Sequence, residues 1–310
     1  MHFADRLVEA IQKKNSVVCV GLDPRLAQMP AFLIKKHVDN FGPGLTAVAN
    51  AFLDFGKGII DAVKDKAVAI KPQLAFYEEY GFQGIWALEE TCRYAKEQGL
   101  LVIVDGKRND IGSTAEAYAR AFLSGTEIFG EKVRTMEADA LTVNAYLGWD
   151  GIKPFADACA KEDKGIFILV KTSNPSSGDI QDRRTEDEKM SIANLMAHFV
   201  EAWGSDSVGS HGYSSIGAVV GATYPGEAKH LRAIMPETFF LVPGYGAQGG
   251  SADDTKPCFN EDGLGAIVNS SRGIIFAYEN NGGTKGGEDY AEAARDAAEL
   301  MRQELNRARA

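Results

Sequence analysis

Short, almost wholly apolar runs alternate with helix-length amphipathic segments along most of the chain. Two clear examples are LLVIVD at 100–105 and GIFILVK at 165–171. Apolar runs without polar alternation are typical of parallel strands that are covered on both faces. Eight such runs predict strands at 17–21, 67–71, 101–105, 140–144, 165–171, 216–220, 239–242 and 265–269.

The segments between these runs have the length and pattern of helices, for example 85–98, 195–203 and the closing segment 290–309. Ser113 and Glu116 have the spacing of a capping box, which predicts a further helix start. Eight alternations of strand and helix predict an α/β fold, a (β/α)₈ TIM barrel, as a single domain spanning 1–310. An amphipathic helix within 1–15 is expected to cap this barrel.

The chain carries a formal net charge of -10, which argues against nucleic acid or an anionic membrane as its partner. The four cysteines and five histidines show no metal-ligand spacing, so no metal is expected. Scattered cysteines indicate free thiols of a reducing cytoplasm. The first 15 residues contain no long apolar run, so neither a signal peptide nor a membrane span is predicted.

Two loops are unusually long for a compact fold. One is the polar loop at 172–188, and the other is the glycine-rich loop at 243–263. Loops of this length are usually functional. Both follow predicted strands and therefore belong to the carboxyl end of the barrel, where barrel active sites lie.

Four charged residues follow two neighbouring predicted strands. Asp105 and Lys107 end the third strand, Asp110 follows in the turn, and Lys71 ends the second strand. On an extended backbone, side chains two residues apart point the same way. Buried charges must be paired, and an alternating array of lysine and aspartate satisfies this need while forming a preorganised electrostatic site.

The segment DGKRNDIGST at 105–114 resembles the active-site signature of orotidine 5′-phosphate decarboxylases, which is roughly D-x-K-x-x-D-I-x-x-T. Further features of that family follow in order along essentially the whole chain. They are Asp23 in VGLDPRL, Lys71 in IKPQLAFYE, Ser173 in VKTSNPSS, Pro243 and Gln248 in VPGYGAQGG, and Arg272 in VNSSRGIIFA. The length of the chain and its two long loops resemble those of the longer bacterial subgroup of this family.

The resemblance implies a cofactor-free lyase that converts orotidine 5′-monophosphate to uridine 5′-monophosphate and CO₂. Lys107 would stabilise the carbanion and donate the proton. Asp105 would lie beside the substrate carboxylate and hold Lys107 and Lys71 in place. Asp110 and Thr114 would reach into the neighbouring subunit's site, which makes a homodimer with shared active sites the expected assembly.

The resemblance also implies how the substrate binds. Asp23 and Lys71 would contact the ribose hydroxyls, and Ser173 would hydrogen-bond the pyrimidine edge. Barrels often bind phosphate through the loops after the last two strands. Gln248 and Arg272, together with backbone amides of the glycine-rich loop, are therefore expected at the phosphate.

Two other functions fit part of the pattern. A metal-dependent sugar-phosphate lyase or aldolase of the same superfamily shares D-x-K-x-x-D, but it needs further acidic ligands for Mg²⁺. Lys71 would be unfavourable beside such a metal. A non-catalytic nucleotide-binding barrel would keep the phosphate loop and lose the charged array, whereas all four charges are present here.

Overall fold

The fold is a closed barrel of parallel strands. The computed structural model describes residues 1–136, 138–187, 189–246, 249–279 and 287–310. Its strands are β1 (Val18–Leu22), β2 (Ala69–Pro72), β3 (Leu101–Arg108), β4 (Thr126–Ile128), β5 (Glu131–Val133), β6 (Ala140–Val143), β7 (Gly165–Lys171), β8 (Ser214–Val220), β9 (Thr238–Val242) and β10 (Ala266–Ser270). β4 and β5 form a separate hairpin, and the others close in the order β1-β10-β9-β8-β7-β6-β3-β2.

Helices cover the outside and the ends of the barrel. They are α1 (Phe3–Lys14), α2 (Ala31–Phe41), α3 (Leu45–Val63), α4 (Ala75–Glu78), α5 (Gly81–Glu97), α6 (Gly112–Ala119), α7 (Trp149–Glu162), α8 (Ile192–Gly204), α9 (Pro225–Ile234), α10 (Ala252–Thr255), α11 (Arg272–Ile275) and α12 (Tyr290–Arg309). In the part of the chain that the structure describes, no helix is both long and apolar enough to cross a membrane.

The predicted barrel is confirmed. Each of the eight predicted strands overlaps an observed barrel strand, and the final helix has the predicted bounds. Every residue of β8 and of β9 is buried. This burial on both faces explains why the strands are apolar runs rather than alternating patterns.

The capping box predicted at Ser113 and Glu116 is wrong. The N-cap of α6 is Ile111, in an extended conformation, and no side chain caps it. The turn at Gly112, with φ of 52°, places Ser113 inside the first helical turn. A capping box forms instead at Ser251 and Asp254, so part of the glycine-rich loop is the short helix α10.

The amino-terminal helix α1 closes the amino end of the barrel, as predicted. Phe3 is 1% exposed and packs edge-on against Phe167, with ring centroids 6.1 Å apart. A Cβ on Gly165, the first residue of β7, would lie 2.2 Å from the Phe3 ring. Asp5 accepts hydrogen bonds from the backbone amides of Ser210 and His211, just before β8. Polar and apolar contacts thus fix α1 against the amino ends of β7 and β8.

Replacing Phe3 by alanine should lower the free energy of unfolding by about 3–5 kcal/mol, because it leaves a cavity where the barrel is closed. Phe82 on α5 is 79% exposed and serves as the control. We expect Phe82→Ala to change the free energy by less than about 0.5 kcal/mol. Urea unfolding measures both variants. Equal losses would show that Phe3 does not help to close the barrel.

Candidate active site

A cleft of about 410 Å³ opens at the carboxyl ends of the barrel strands. It is the place where most of the residues singled out by the sequence meet. Those that line it are Asp23, Lys71, Asp105, Lys107, Ser173, Pro243 and Arg272. Because they come from β2 and β3 and from segments after β1, β7, β9 and β10, the closed barrel is what brings them together.

The Asp105 carboxylate lies at the centre of the charged array. Its Oδ1 accepts hydrogen bonds from Lys107 Nζ at 2.7 Å and from Thr142 Oγ1 at 2.8 Å. Its Oδ2 accepts from Lys71 Nζ at 2.7 Å and from Gln73 Nε2 at 3.0 Å. Asp105 is 7% exposed. Four donors therefore satisfy a carboxylate that would be costly to bury alone.

Lys107 reaches Asp105 through an irregular backbone. Its φ of 46° is in the left-handed region, and the register of β3 against β6 shifts between Val104 and Arg108. The Lys107 amide donates to Thr142 Oγ1 at 3.0 Å. The extended geometry assumed from the two-residue spacing is therefore wrong here. A bulge re-aims the side chain instead, and it leaves the Lys107 side chain 47% exposed to the cleft.

The two lysines keep the carboxylate ionised. Burial would raise the pKa of Asp105, but the charges of Lys71 and Lys107 outweigh it and hold this pKa well below its usual range. For Lys71, burial lowers the pKa, while Asp105 and Asp23 raise it to a net value above its usual range. Both groups remain charged at neutral pH, so the cleft presents a fixed array of charges.

Among the polar residues of the cleft that the sequence did not reveal are Gln73, Thr142 and Asn269. Thr142 and Gln73 each donate to Asp105. Asn269 is 93% buried, and its Oδ1 accepts no hydrogen bond from the described residues. A signal existed for each. Thr142 and Asn269 interrupt apolar strands, and Gln73 follows Lys71 at the two-residue spacing that places it on the same side.

The phosphate end of the cleft is only partly as expected. Gly244, with φ of 100°, and Arg272 line it. The amides of Gly246 and Gly250 donate within the glycine-rich loop, to Gly250 and Gly244 respectively. They are not turned toward the cleft in this structure. The predicted ligand Gln248 lies outside the described residues.

Asp110 and Thr114 do not join the cleft of their own chain. Asp110 Oδ1 accepts a hydrogen bond from the Ile111 amide at 2.8 Å, and Thr114 is exposed on α6. Asn144, which follows β6, accepts from the Tyr146 amide at 3.0 Å and thus shapes a turn. Among the residues described, no group of three histidine, cysteine or acidic side chains is placed to hold a metal ion.

Comparison with known proteins gives a consistent result. The model of the family described as "Orotidine 5'-phosphate decarboxylase / HUMPS family" matches residues 16–283. An orotidine 5′-phosphate decarboxylase of Caldicellulosiruptor bescii is 47% identical over 280 residues, covering 90% of this chain and 91% of that protein. One from Rhodopirellula baltica is 46% identical over 283 residues, covering 90% of each chain. The structure of Leishmania donovani OMP decarboxylase superposes with a TM-score of 0.74 at 31% identity, covering 100% of this chain and 99% of that one.

Replacing Asp105 by asparagine should lower the free energy of unfolding by about 3 kcal/mol near neutral pH, because buried Lys71 loses the carboxylate that pairs with it. The folded-state pKa of Asp105 is below its ordinary value of 3.8. Its contribution is therefore complete above that value and is lost as the pH falls through the folded pKa. Denaturant unfolding should give the same difference near pH 7 and pH 5 and a smaller one below about pH 4.

Asp39 provides the control for this measurement. It pairs with Lys35 at 2.6 Å on the surface of α2, and its side chain is 59% exposed. Asp39→Asn should change the free energy of unfolding by less than about 1 kcal/mol at any of these pH values. An Asp105→Asn protein as stable as the Asp39→Asn protein would contradict the central role of this carboxylate.

Proposed function

The chain belongs to the orotidine 5′-phosphate decarboxylase family, and from this premise we propose how its own residues carry out the reaction. The enzyme removes CO₂ from orotidine 5′-monophosphate to give uridine 5′-monophosphate in pyrimidine synthesis. The observation that carries the proposal is the Asp105 carboxylate held between two ammonium groups. One of these, on Lys107, is open to the cleft, whereas Lys71 is buried.

Lys107 is the proposed proton donor. When the bond from C6 to the carboxylate breaks, the electron pair stays on C6 and no conjugated group can accept it. The Lys107 ammonium stabilises this carbanion by its charge and then transfers a proton to C6. Lys107 recovers its proton from solvent, because its side chain is 47% exposed in the open cleft.

Asp105 acts by placing charge. It fixes the Lys107 ammonium at 2.7 Å, so little reorganisation is needed when negative charge develops at C6. It also lies where the substrate carboxylate would approach. Repulsion between the two carboxylates would raise the energy of the bound substrate relative to the carbanion, in which that repulsion is relieved by loss of CO₂.

The remaining residues of the cleft bind the rest of the substrate. Asp23 Oδ1 and Asn269 Oδ1 are buried acceptors for which the described part of the chain supplies no donor, which suits ribose hydroxyls. Arg272 suits the phosphate, because a guanidinium forms bidentate hydrogen bonds with phosphate oxygens. Ser173, after β7, is the proposed contact to the pyrimidine edge. Pro243, which lines the cleft, is a further proposed contact, and Gln248 of the same loop is proposed on the resemblance alone.

The Lys107→Ala enzyme should lose at least about 10³-fold in kcat while remaining folded, because both the charge and the proton donor are removed. The fall in pyrimidine absorbance with orotidine 5′-monophosphate measures turnover, in buffer that contains a chelator. Lys35→Ala, on the surface of α2, is the control and should be as active as wild type. If folded wild type shows no turnover, the proposal fails, and sugar-phosphate substrates with added Mg²⁺ are tested next.

We further propose that the active enzyme is a homodimer in which Asp110 and Thr114 complete the neighbour's site. Both residues lie outside the cleft of their own chain. A groove of about 1070 Å³ begins beside them at Ile111, which is 54% exposed. Phe129 at the tip of the β4–β5 hairpin is fully exposed, and Tyr146 is 82% exposed. Large apolar side chains exposed on neighbouring segments indicate a surface that is covered by another chain.

Mixing two inactive variants tests this arrangement. In a dimer of Lys107→Ala with Asp110→Ala, one site carries both substitutions and the other carries neither. With random exchange, half of the dimers are mixed, so activity should rise to about a quarter of wild type. Subunits are exchanged by brief denaturation and refolding, and each variant refolded alone is the control. No rise in a mixture that is shown to be dimeric would contradict shared sites.

Two broader expectations complete the proposal. Residues 1–310 are proposed to form one catalytic domain, supported by relatives that match about nine-tenths of the chain. A cytoplasmic location is proposed because all four cysteines are buried free thiols, which fits a reducing compartment.

A further inference from the structure

Lys171, the last residue of β7, is a charged side chain buried beside the active site without a role in the reaction. Its exposed fraction is 0%. Its Nζ pairs with Asp182 of the polar loop and, at 3.2 Å, with Oε2 of Glu227 on α9. It also lies 4.6 Å from the centroid of the Tyr224 ring. A buried ammonium is costly unless it is paired, so these partners account for how it is tolerated.

The partners of Lys171 are not equivalent. Glu227 and Tyr224 belong to the start of α9, which is fixed by the barrel, whereas Asp182 lies on the polar loop. Burial lowers the pKa of Lys171, but hydrogen bonds to Asp182 and Glu227 raise it to a net value above its usual range. The Asp182 side chain is half exposed to solvent, but it also returns to the end of β7, the strand from which the loop departs.

Gln181, next to Asp182, also binds the end of β7, through the residue that follows Lys171. Its Oε1 accepts from the Thr172 amide at 3.0 Å, and its Nε2 donates to Thr172 Oγ1 at 2.8 Å. Its backbone carbonyl accepts from the Ala193 amide at 2.9 Å, at the start of α8. The two ends of the segment 172–182 are thus held together, which makes it a closed loop rather than an open strand end.

The closed loop carries Ser173 and Asn174 into the cleft. On its other side, Ser173 rests against the residue that directly follows β8. The Gly221 amide donates to the Lys171 carbonyl at 2.8 Å, and a Cβ on Gly221 would lie 3.0 Å from the Ser173 backbone. Little room remains for Ser173 to move toward β8. The ion pair of Lys171 with Asp182 and the hydrogen bonds of Gln181 hold the other side of the same loop.

We propose that Lys171 and Asp182 form an ionic latch that positions Ser173 against the substrate. The inference rests on the proposed contact between Ser173 and the pyrimidine. Lys171 and Asp182 are positioning residues, since neither is among the described residues that line the cleft. The charge of Lys171 is needed to hold the loop. An apolar side chain would fill the same buried site at the end of β7, but it would not bind Asp182.

Asp182→Asn is the variant of choice, because Lys171 then keeps Glu227 as its counter-charge and the barrel should remain folded. We expect kcat/KM to fall about tenfold, the effect of losing one hydrogen bond to the substrate. Asp182→Glu, which keeps the charge, should recover most of this loss. Asp179→Asn is the matched control, since Asp179 is exposed on the same loop and should leave kcat/KM unchanged.

A double-mutant cycle tests whether the latch acts through Ser173. Ser173→Ala should also lower kcat/KM, and adding Asp182→Asn to it should cause no further loss. Effects that multiply, or an Asp182→Asn enzyme with wild-type kcat/KM, would overturn the latch while leaving the decarboxylase function intact. A Ser173→Ala enzyme with wild-type kcat/KM would overturn both the latch and the proposed pyrimidine contact.

Limited trypsin digestion gives a readout that does not depend on activity. Arg183 and Arg184 directly follow Asp182 and are exposed. If the latch holds the loop, cleavage after them should be several-fold faster in Asp182→Asn than in wild type or Asp179→Asn. Equal cleavage rates in the three proteins would overturn the proposal.

Discussion

The hydrogen bonding of the Asp105 carboxylate is the constraint on which the rest of the site depends. A carboxylate accepts about four hydrogen bonds, and Asp105 receives four, from Lys71, Lys107, Thr142 and Gln73. The donors lie on β2, on β3, on β6 and directly after β2. These strands are neighbours in the barrel, so one buried anion links three of them and fixes two ammonium groups a short distance apart. The positions of the charges in the site thus follow directly from the order of the strands in the barrel.

The barrel determines where chemistry can occur. A closed sheet has no free edge, so polar groups gather only at its two ends. Helix α1 occupies the amino end with buried Phe3 and with Asp5, which binds the loop before β8. The carboxyl end remains for function, and the two long loops extend from it. The polar loop and the glycine-rich loop both reach the cleft from this end, through Ser173 and Gly244 respectively.

The sequence predicts those features that depend on short stretches of chain. The strands are recognisable because burial on both faces requires apolar runs, and Lys71, Asp105 and Lys107 stand out because they end such runs. The bulge at Lys107 could not be predicted from the sequence, because its left-handed backbone is supported by Thr142, 35 residues later. The capping box at Ser113 failed for a related reason: the turn at Gly112 decides where α6 begins.

Other features depend on partners that a local pattern does not reveal. Asp182 stands among charged residues in the sequence, and only its return to buried Lys171 separates it from them. Asn269 interrupts an apolar strand, but only the folded cleft shows that its Oδ1 accepts no hydrogen bond from the residues described. The roles proposed for Asp110 and Thr114 require a second subunit, which the pattern of one chain does not describe.

The closure of the amino end by α1 has a consequence for biosynthesis. Asp5 binds the Ser210 amide, 205 residues later in the chain. At about 5–20 residues per second, a ribosome needs roughly 10–40 seconds to make that stretch. Throughout this time the barrel end against which the apolar face of α1 packs is incomplete. Helix α1 is thus synthesised long before the segment it binds, and it can reach its final place only after β8 has emerged.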